Sequence, residues 1–199
     1  MNEILALNRW SVKGIEVKDP GLKDYINLDP TYVPRTGARY AGSRFHKSRI
    51  FIVERLINKV MVPGHRAKKH RITSSIITGK ASTAMKLVEE AFNIIEKKLK
   101  KNPIEVLVGA IENAAPREEI ITIEYGGARY PKAVESAPQR RVDIVLKLMT
   151  QGAFQKAHNK KKSASSALAD EIMNAYQMSP NSAALAKKLE VERQADASR

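Results

Sequence analysis

Hydrophobic side chains recur every three or four residues in six stretches of the chain, a spacing that places them on one face of a helix. The clearest stripe runs through Ile50, Val53, Ile57 and Val60. These patterns and their start and stop signals predict six helices. The predicted helices cover about residues 48–63, 82–101, 103–116, 137–151, 163–177 and 179 onward.

End signals set two of these boundaries. The fourth helix is predicted to begin after a cap at Ser136, with Pro138 in its first turn, and to break at Gly152. The sixth is predicted to begin at Ser179-Pro180, and its apolar face is thin.

A spacing of two residues occurs between the third and fourth helices. Ile121, Ile123 and Tyr125 fall on one face of a strand. Gly126-Gly127 then supplies the two positive-φ positions that a tight hairpin turn requires. The pattern predicts a β-hairpin over about 119–136. Because helices flank it, the hairpin cannot join a larger sheet and should protrude, with Gly126 and Gly127 at its tip.

The predicted fold class is therefore mainly α, with about six helices and one protruding β-hairpin. Residues 1–42 are interpreted as a flexible N-terminal arm, because Pro and Gly break them into turns after a short strand at about 10–17. Residues 43–199 form the helical domain that carries the hairpin. Trp10 could stack on a nucleic-acid base, but we expect it to pin the arm to the body.

Composition narrows the class of protein. The chain has 199 residues, 43% hydrophobic and 28% charged, which is typical of a globular protein. No apolar run is long enough to cross a bilayer, and the N-terminus lacks a cationic signal-peptide start. The absence of cysteine excludes disulfides and thiolate metal sites and fits a cytoplasmic location. We expect no membrane partner.

The formal net charge of +14 indicates a polyanionic partner. The charge is concentrated in two segments. Residues 43–80 hold ten Lys and Arg against one acid, net +9, and residues 128–162 hold nine against two, net +7. This distribution is typical of a binding face rather than of a solubility device.

The candidate RNA-binding residues come mainly from these two segments. The loop after Pro63-Gly64 combines cations with hydroxyl residues, which suits a phosphate backbone. Arg140 and Arg141 lie in the first turn of a helix, where the macrodipole disfavours cations, so an outside anion should compensate them. We expect their charge reversal to weaken RNA binding and to leave stability nearly unchanged. The candidates are Arg44, Lys47, Arg55, Lys59, Arg66, Lys68, Lys69, Arg71, Lys80, Arg129, Tyr130, Lys132, Arg140, Arg141, Lys160, Lys161 and Lys162.

Catalysis finds no support in the sequence. The stretch 78–83 suggests a nucleotide-binding loop, but Ser74 and Ala81 stand where that motif needs Gly and Ser or Thr. The four histidines lack ligand spacing, and no nucleophile motif is present. We expect no enzyme activity, no cofactor, no metal and no small-molecule substrate.

Five motifs in order carry a family resemblance. They are Val53-Glu-Arg-Leu-Ile-Asn-Lys-Val-Met61 with Pro63-Gly64, Asn102-Pro-Ile-Glu-Val106, Ala110-Ile-Glu-Asn-Ala-Ala-Pro-Arg-Glu-Glu119, Tyr125-Gly-Gly-Ala-Arg-Tyr-Pro131 and Pro138-Gln-Arg-Arg141. With these motifs the chain resembles the small-subunit ribosomal protein seven family in its archaeal form. The stretch 65–78 looks inserted relative to that family, and Ala81 replaces a lysine.

The resemblance implies a structural constituent of the small ribosomal subunit. Such a protein binds the 3′ major domain of the small-subunit rRNA, nucleates assembly of the head, and lies at the subunit interface near the tRNA exit site. Implied partners are the rRNA, neighbouring proteins of the head and platform, exit-site tRNA and mRNA. The implied location is the cytoplasmic ribosome.

Two other functions compete with this one. A DNA-architectural protein also combines helices with a basic β-ribbon arm, although no Pro or apolar wedge lies at Gly126-Gly127. A phosphoryl-transfer enzyme using Lys80 is the third alternative, and nucleotide binding would be its first requirement.

Overall fold

The computed structural model describes residues 4–39, 41–64 and 79–199. Within these ranges there are six α-helices and one two-stranded sheet, as the sequence predicts. The helices are α1 Ile52–Val60, α2 Ala81–Leu99, α3 Pro103–Ala114, α4 Pro138–Ala157, α5 Ala164–Tyr176 and α6 Ala183–Asp196. None of these described helices is long and apolar enough to cross a membrane.

Helix α5 lies at the centre of the body, packed against α2, α3 and α4. Its Leu168 and Ile172 are buried, and so are Phe92 of α2, Leu107 of α3 and Met149 of α4. These side chains belong to one continuous hydrophobic core. Helix α1 joins it through packing on α2 and α4.

Side-chain caps set the starts of three helices. Asn102 Oδ1 accepts a 3.0 Å hydrogen bond from Ile104 N at the start of α3, as its sequence predicts. Ser163 caps α5 in the same way. The third cap is Ser182, whose side chain accepts from Leu185 N at the start of α6, so the predicted start at Ser179-Pro180 is wrong by a few residues. Residues 179–182 form a turn instead, closed by Ser182 N donating to Ser179 O.

The beginning of α1 also differs from its prediction. A short 3-10 helix, His46–Arg49, precedes α1, and Phe51 between them is extended and pairs with Asn27. Ile52 N donates to Asn27 O at 2.9 Å. The arm thus takes a backbone hydrogen bond that a continuous helix from residue 48 would have used.

The predicted end of α4 at Gly152 is wrong, because the helix continues to Ala157. Gly152 is buried, and a Cβ placed on it would lie 2.8 Å from Ala183 Cβ and 3.1 Å from Glu171 Cδ. The glycine therefore lets α4 approach α5 and the start of α6 closely. Ser136 does not cap α4 either: Ala137 is the N-cap residue, and Ser136 Oγ donates to Glu119 Oε1 at 2.6 Å.

The described arm residues are tied to the helical body. Trp10 is buried and meets the ring of Phe92 edge-on, with centroids 5.6 Å apart, so it pins the arm as expected. Asn102 Nδ2 donates to Ser11 O at 2.6 Å, and Glu112 Oε1 accepts from the backbone N of Lys18. No strand forms at residues 10–17. The domain division at residue 42 stays a prediction.

The hairpin consists of β1 Glu118–Tyr125 and β2 Ala128–Glu135, paired antiparallel in the register Glu118 with Glu135 through Tyr125 with Ala128. Gly126 and Gly127 have φ of 59° and 81°, which matches the predicted tight turn. The base of the hairpin packs on α6, and the outer half extends away with every residue from 121 to 132 exposed.

Replacement of Gly152 by Ala should destabilise the protein by about 1–3 kcal/mol, because the added methyl group overpacks the contact with Ala183 and Glu171. A Gly to Ala change inside an ordinary helix stabilises by up to about 1 kcal/mol, so the sign is diagnostic. Urea unfolding of Gly152→Ala measures it. The double variant with Ala183→Gly should recover part of the loss, and a stabilised single variant would contradict the close packing.

Candidate nucleic-acid interface

Three cations converge on one carboxylate at the junction of α1 and α4. Asp143 of α4 receives Lys47 Nζ at 2.7 Å, Arg55 Nη2 at 3.4 Å and Lys59 Nζ at 4.0 Å. We call these four residues the Asp143 cluster. Three positive charges face one negative charge, so the cluster retains an excess of positive charge that a further anion can neutralise.

The pKa directions agree with a crowded cationic site. Burial lowers the pKa of Lys59, and the positive charges of its neighbours lower it further, although Asp143 opposes both effects. Burial raises the pKa of Asp143, but the hydrogen bond from Lys47 and the surrounding cations outweigh it, so the net pKa lies below the usual value. Asp143 is thus held ionised while the cations around it repel one another.

Arg55 is the internal member of the cluster. Its side chain is 4% exposed, and its Nη1 donates to Tyr25 O at 2.8 Å. It therefore links α1 to the arm and to α4. Lys47 and Lys59 are 41% and 35% exposed at the side chain, so they can reach an external phosphate. The prediction that Arg55 contacts RNA directly stays untested, and its burial argues for an indirect role.

Arg140 and Arg141, which the sequence places together, have different environments. Arg140 is exposed and binds both carboxylate oxygens of Glu119, with contacts of 2.7 to 2.9 Å. Arg141 is buried: its Nε donates to Pro116 O at 3.1 Å and its Nη2 to Asp19 Oδ2 at 2.9 Å. The anions that compensate these first-turn cations belong to the protein itself: Glu119 at the surface for Arg140 and Asp19 for the buried Arg141. The premise that these two arginines lack a partner within the protein is therefore wrong, and we expect loss of Arg141 to reduce stability.

Lys160, Lys161 and Lys162 form an exposed connector after α4. Lys162 pairs with Asp170, which also receives Lys98 Nζ at 3.0 Å. Lys160 and Lys161 make no ion pair with a described residue. Their charges are therefore available to a partner.

The hairpin presents two unlike faces. One carries Ile121, Ile123, Tyr125 and Tyr130, exposed by 43%, 43%, 81% and 57%. On the other face, Arg129 lies 3.5 Å from Glu124, and both are largely exposed. Lys132 lies opposite Ile121 at the edge of the apolar face. This hairpin is therefore better suited to contacts through its aromatic side chains than to the neutralisation of phosphates.

The other sequence-predicted residues are placed as follows. Arg44 is exposed, with its guanidinium carbon 5.3 Å from the centre of the Phe45 ring. Lys80 is exposed at the N-cap of α2. Gly79 N donates to Met61 O at 3.1 Å, so the residues after the basic loop return to the end of α1. Arg66, Lys68, Lys69 and Arg71 lie outside the described residues.

The sequence patterns do not predict a groove that lies beside the Asp143 cluster. Its volume is about 600 Å³, and arm residues 33–38, α1 and the first turns of α2 form its walls. Thr36 closes one wall, since its N and Oγ1 both donate to Glu54 Oε1 at 2.7 Å. The turn signal at Pro34 predicts a change of chain direction but not the helix on which the turn packs.

The described histidines have structural contacts. His46 Nδ1 lies 2.8 Å from Ser43 O, and His158 stacks on Phe154 with ring centroids 4.9 Å apart. Within residues 4–39, 41–64 and 79–199, no group of three or more His, Cys, Asp or Glu side chains is arranged to hold a metal ion.

Comparison with known proteins identifies the family. The family model described as ribosomal protein S7p/S5e matches residues 22–199. The chain belongs to the ribosomal protein S7p/S5e family. It is 52% identical over 191 residues to the small ribosomal subunit protein uS7 of Nanoarchaeum equitans, which covers 96% of each chain. It is also 47% identical over 197 residues to the protein of the same name from Archaeoglobus fulgidus, covering 99% of this chain and 96% of the relative.

Membership of the S7p/S5e family confirms the resemblance drawn from the five sequence motifs. The relatives are ribosomal proteins of the small subunit and not enzymes. A catalytic function is accordingly set aside, in agreement with the failed nucleotide-loop motif.

Arg141→Ala should destabilise this S7p/S5e protein by about 3 kcal/mol, because it leaves Asp19 partly buried without its partner and Pro116 O without a donor. Arg140→Ala is the matched control, since its ion pair lies at the surface and should contribute less than about 1 kcal/mol. Urea unfolding of the two variants measures the difference. Equal losses would contradict the distinct roles assigned to these neighbouring arginines.

Asp143→Asn should reduce stability at pH 7, and the deficit should shrink as the pH falls below about 4. The folded-state pKa of Asp143 is depressed, so its contribution is present above the unfolded value near 3.9 and is lost as protonation proceeds through the lower folded value. Thermal unfolding of both proteins between pH 7 and pH 2 measures the gap. A pH-independent gap would show that the carboxylate charge is not what holds the cluster.

Proposed function

We propose that the chain is a primary rRNA-binding protein of the small ribosomal subunit. It binds the 3′ major domain of the small-subunit rRNA, starts assembly of the subunit head, and lies at the subunit interface near the tRNA exit site. The main observation in support of RNA binding is the Asp143 cluster, where three cations share one carboxylate. Its remaining positive charge is suited to phosphate.

The position of other cations supports an extended RNA-binding face. Arg140, Asp143 and Lys147 are spaced three and four residues apart on α4, so they lie along one side of that helix. Lys160 and Lys161 follow its C-terminal end. A 20-residue helix spans about 30 Å. Cations distributed over that length can contact phosphates of separate rRNA helices and fix their relative placement.

Shape rather than base sequence should provide most of the specificity. The major groove of an A-form helix is too deep and narrow for side chains to read, so proteins contact its phosphates and its minor groove. The cations of the proposed face therefore recognise how the RNA backbone is folded. Each phosphate contact adds to the salt dependence of binding.

The exposed ribbon is the part that we assign to exit-site tRNA and mRNA, at the junction with proteins of the head and platform. Tyr125 and Tyr130 offer exposed rings close to the Gly126-Gly127 turn. Unstacked bases bind to such rings in proteins that hold single strands. The protein is located in the cytoplasmic ribosome.

The affinity of the full chain for the matching rRNA domain, compared with duplex DNA of equal length, tests this function. At physiological salt, filter binding should show tighter binding to the rRNA. The double variant Lys160→Gln, Lys161→Gln should weaken binding and reduce the slope of log K against log salt by about 0.7–0.9 for each phosphate that is no longer neutralised. Equal affinity for both nucleic acids would refute the proposal and favour the DNA-architectural alternative.

Arg193→Gln is the control for the loss of charge alone, because Arg193 is an exposed cation of α6 outside the proposed face. It removes one positive charge without removing a proposed contact, and its salt slope should equal that of the unaltered protein. A reduced slope for this control would mean that overall charge, rather than a defined face, governs binding.

A further inference from the structure

The groove beside the Asp143 cluster has the size of a small-molecule site. Its volume of about 600 Å³ falls within the usual range for such pockets, about 300–1,000 Å³. It borders the cations that the proposed RNA-binding face uses, since Lys47, Arg55, Lys59 and Asp143 all line it. The groove is thus continuous with that face.

The walls combine an apolar surface with an excess of positive charge. The apolar lining comes from Ile57 of α1, Met61 at the C-cap of that helix and Met85 of α2. The arm adds Val33 and Pro34. The charged lining consists of Arg35, Lys47, Arg55 and Lys59 against Glu54 and Asp143, which leaves two positive charges over. A fitting ligand has an apolar body and a negative charge.

Two buried lining residues each carry one polar atom without a hydrogen-bond partner. Glu54 and Arg55 are 1% and 4% exposed, and Glu54 Oε2 and Arg55 Nε have no hydrogen-bond partner among the described residues. Buried polar atoms without partners are costly, so a ligand group that reached either one would recover free energy. One atom accepts and the other donates, as the edge of a nucleobase does.

We propose that this groove receives a single unstacked nucleotide of the bound RNA. The base lies against the apolar wall formed by Ile57, Met61 and Met85, and its phosphate lies at Lys47 and Lys59. The inference rests on the proposed rRNA binding and adds a defined subsite to it. Proteins that recognise RNA sequence commonly take unstacked bases into such sites.

An acidic peptide of a neighbouring protein would also satisfy the charge of the groove. The nucleotide is favoured because a nucleobase brings donors and acceptors on a flat apolar body, and its phosphate is linked to that body through a single sugar. The side chain of Asp or Glu in a peptide carries its negative charge without such a flat apolar body. Binding to RNA free of other proteins therefore separates the two.

Substitution of Ser82 by Trp fills the groove without changing its charge. Ser82 is exposed in the first turn of α2 and lines the groove. Thr83→Trp is the matched control, because Thr83 is exposed at the next position but lines a different hollow beside Leu87 and Phe154. Ser82→Trp should weaken binding to the protein-free rRNA domain by about tenfold or more, and the salt slope should fall because the phosphate contact at Lys47 and Lys59 is lost with the base. Thr83→Trp should change neither quantity.

A direct probe uses the four nucleoside 5′-monophosphates and the full chain without RNA. Addition of at least one of them should shift the NMR signal of the Met85 methyl group, inorganic phosphate alone should not, and Ser82→Trp should abolish the shift. If Ser82→Trp binds rRNA as the unaltered chain does, or both Trp variants weaken it equally, the groove is not a nucleotide site although rRNA binding stands. If the unaltered chain shows no preference for rRNA, the proposed function fails and the subsite fails with it.

Discussion

Ion pairs between carboxylates and cations at the junctions of its elements are the interaction on which this strongly basic chain depends. With a net charge of +14, self-repulsion opposes the compact state. The internal carboxylates oppose that repulsion at the joints between elements. Asp143 joins α1 to α4, Asp19 joins the arm to α4 through Arg141, and fully buried Glu171 of α5 binds Lys156 of α4 and Ser182 at the start of α6. Each of these contacts also fixes how two elements pack.

The same pairing divides the cations into two groups with different roles. Arg55 and Arg141 are buried, and their donors are directed to internal carboxylates and backbone carbonyls. Lys47 and Lys59 share one internal anion and remain partly exposed. Lys160 and Lys161 are exposed to solvent. Positive charge in the sequence is therefore a poor guide to which cations are accessible, because the buried arginines join elements inside the fold while the lysines are exposed at its surface.

The sequence predicted the helices and strands better than the contacts between them. Helical and alternating periodicities are local, and they located all six described helices and the hairpin with its Gly126-Gly127 turn. Four features depended on contacts distant in the chain and were missed or misplaced: the continuation of α4 through Gly152, the start of α6, the burial of Arg141 against Asp19, and the groove beside Asp143. From the sequence alone, a glycine that permits close helix packing, as Gly152 does beside Ala183, cannot be distinguished from a glycine that ends a helix.

The two ends of the hairpin differ in how much the rest of the protein supports them. A two-stranded ribbon is marginal alone, and only its base has protein support: Arg199 Nη2 binds Glu118 Oε1 at 2.5 Å, and Glu192 of α6 accepts from Arg117 N at 3.0 Å. Beyond Ile120 the strands leave the body with an apolar face exposed. That face adds nothing to the core of the protein. The base of the hairpin therefore attaches it to the fold, while the outer half leaves its apolar side chains accessible to another molecule.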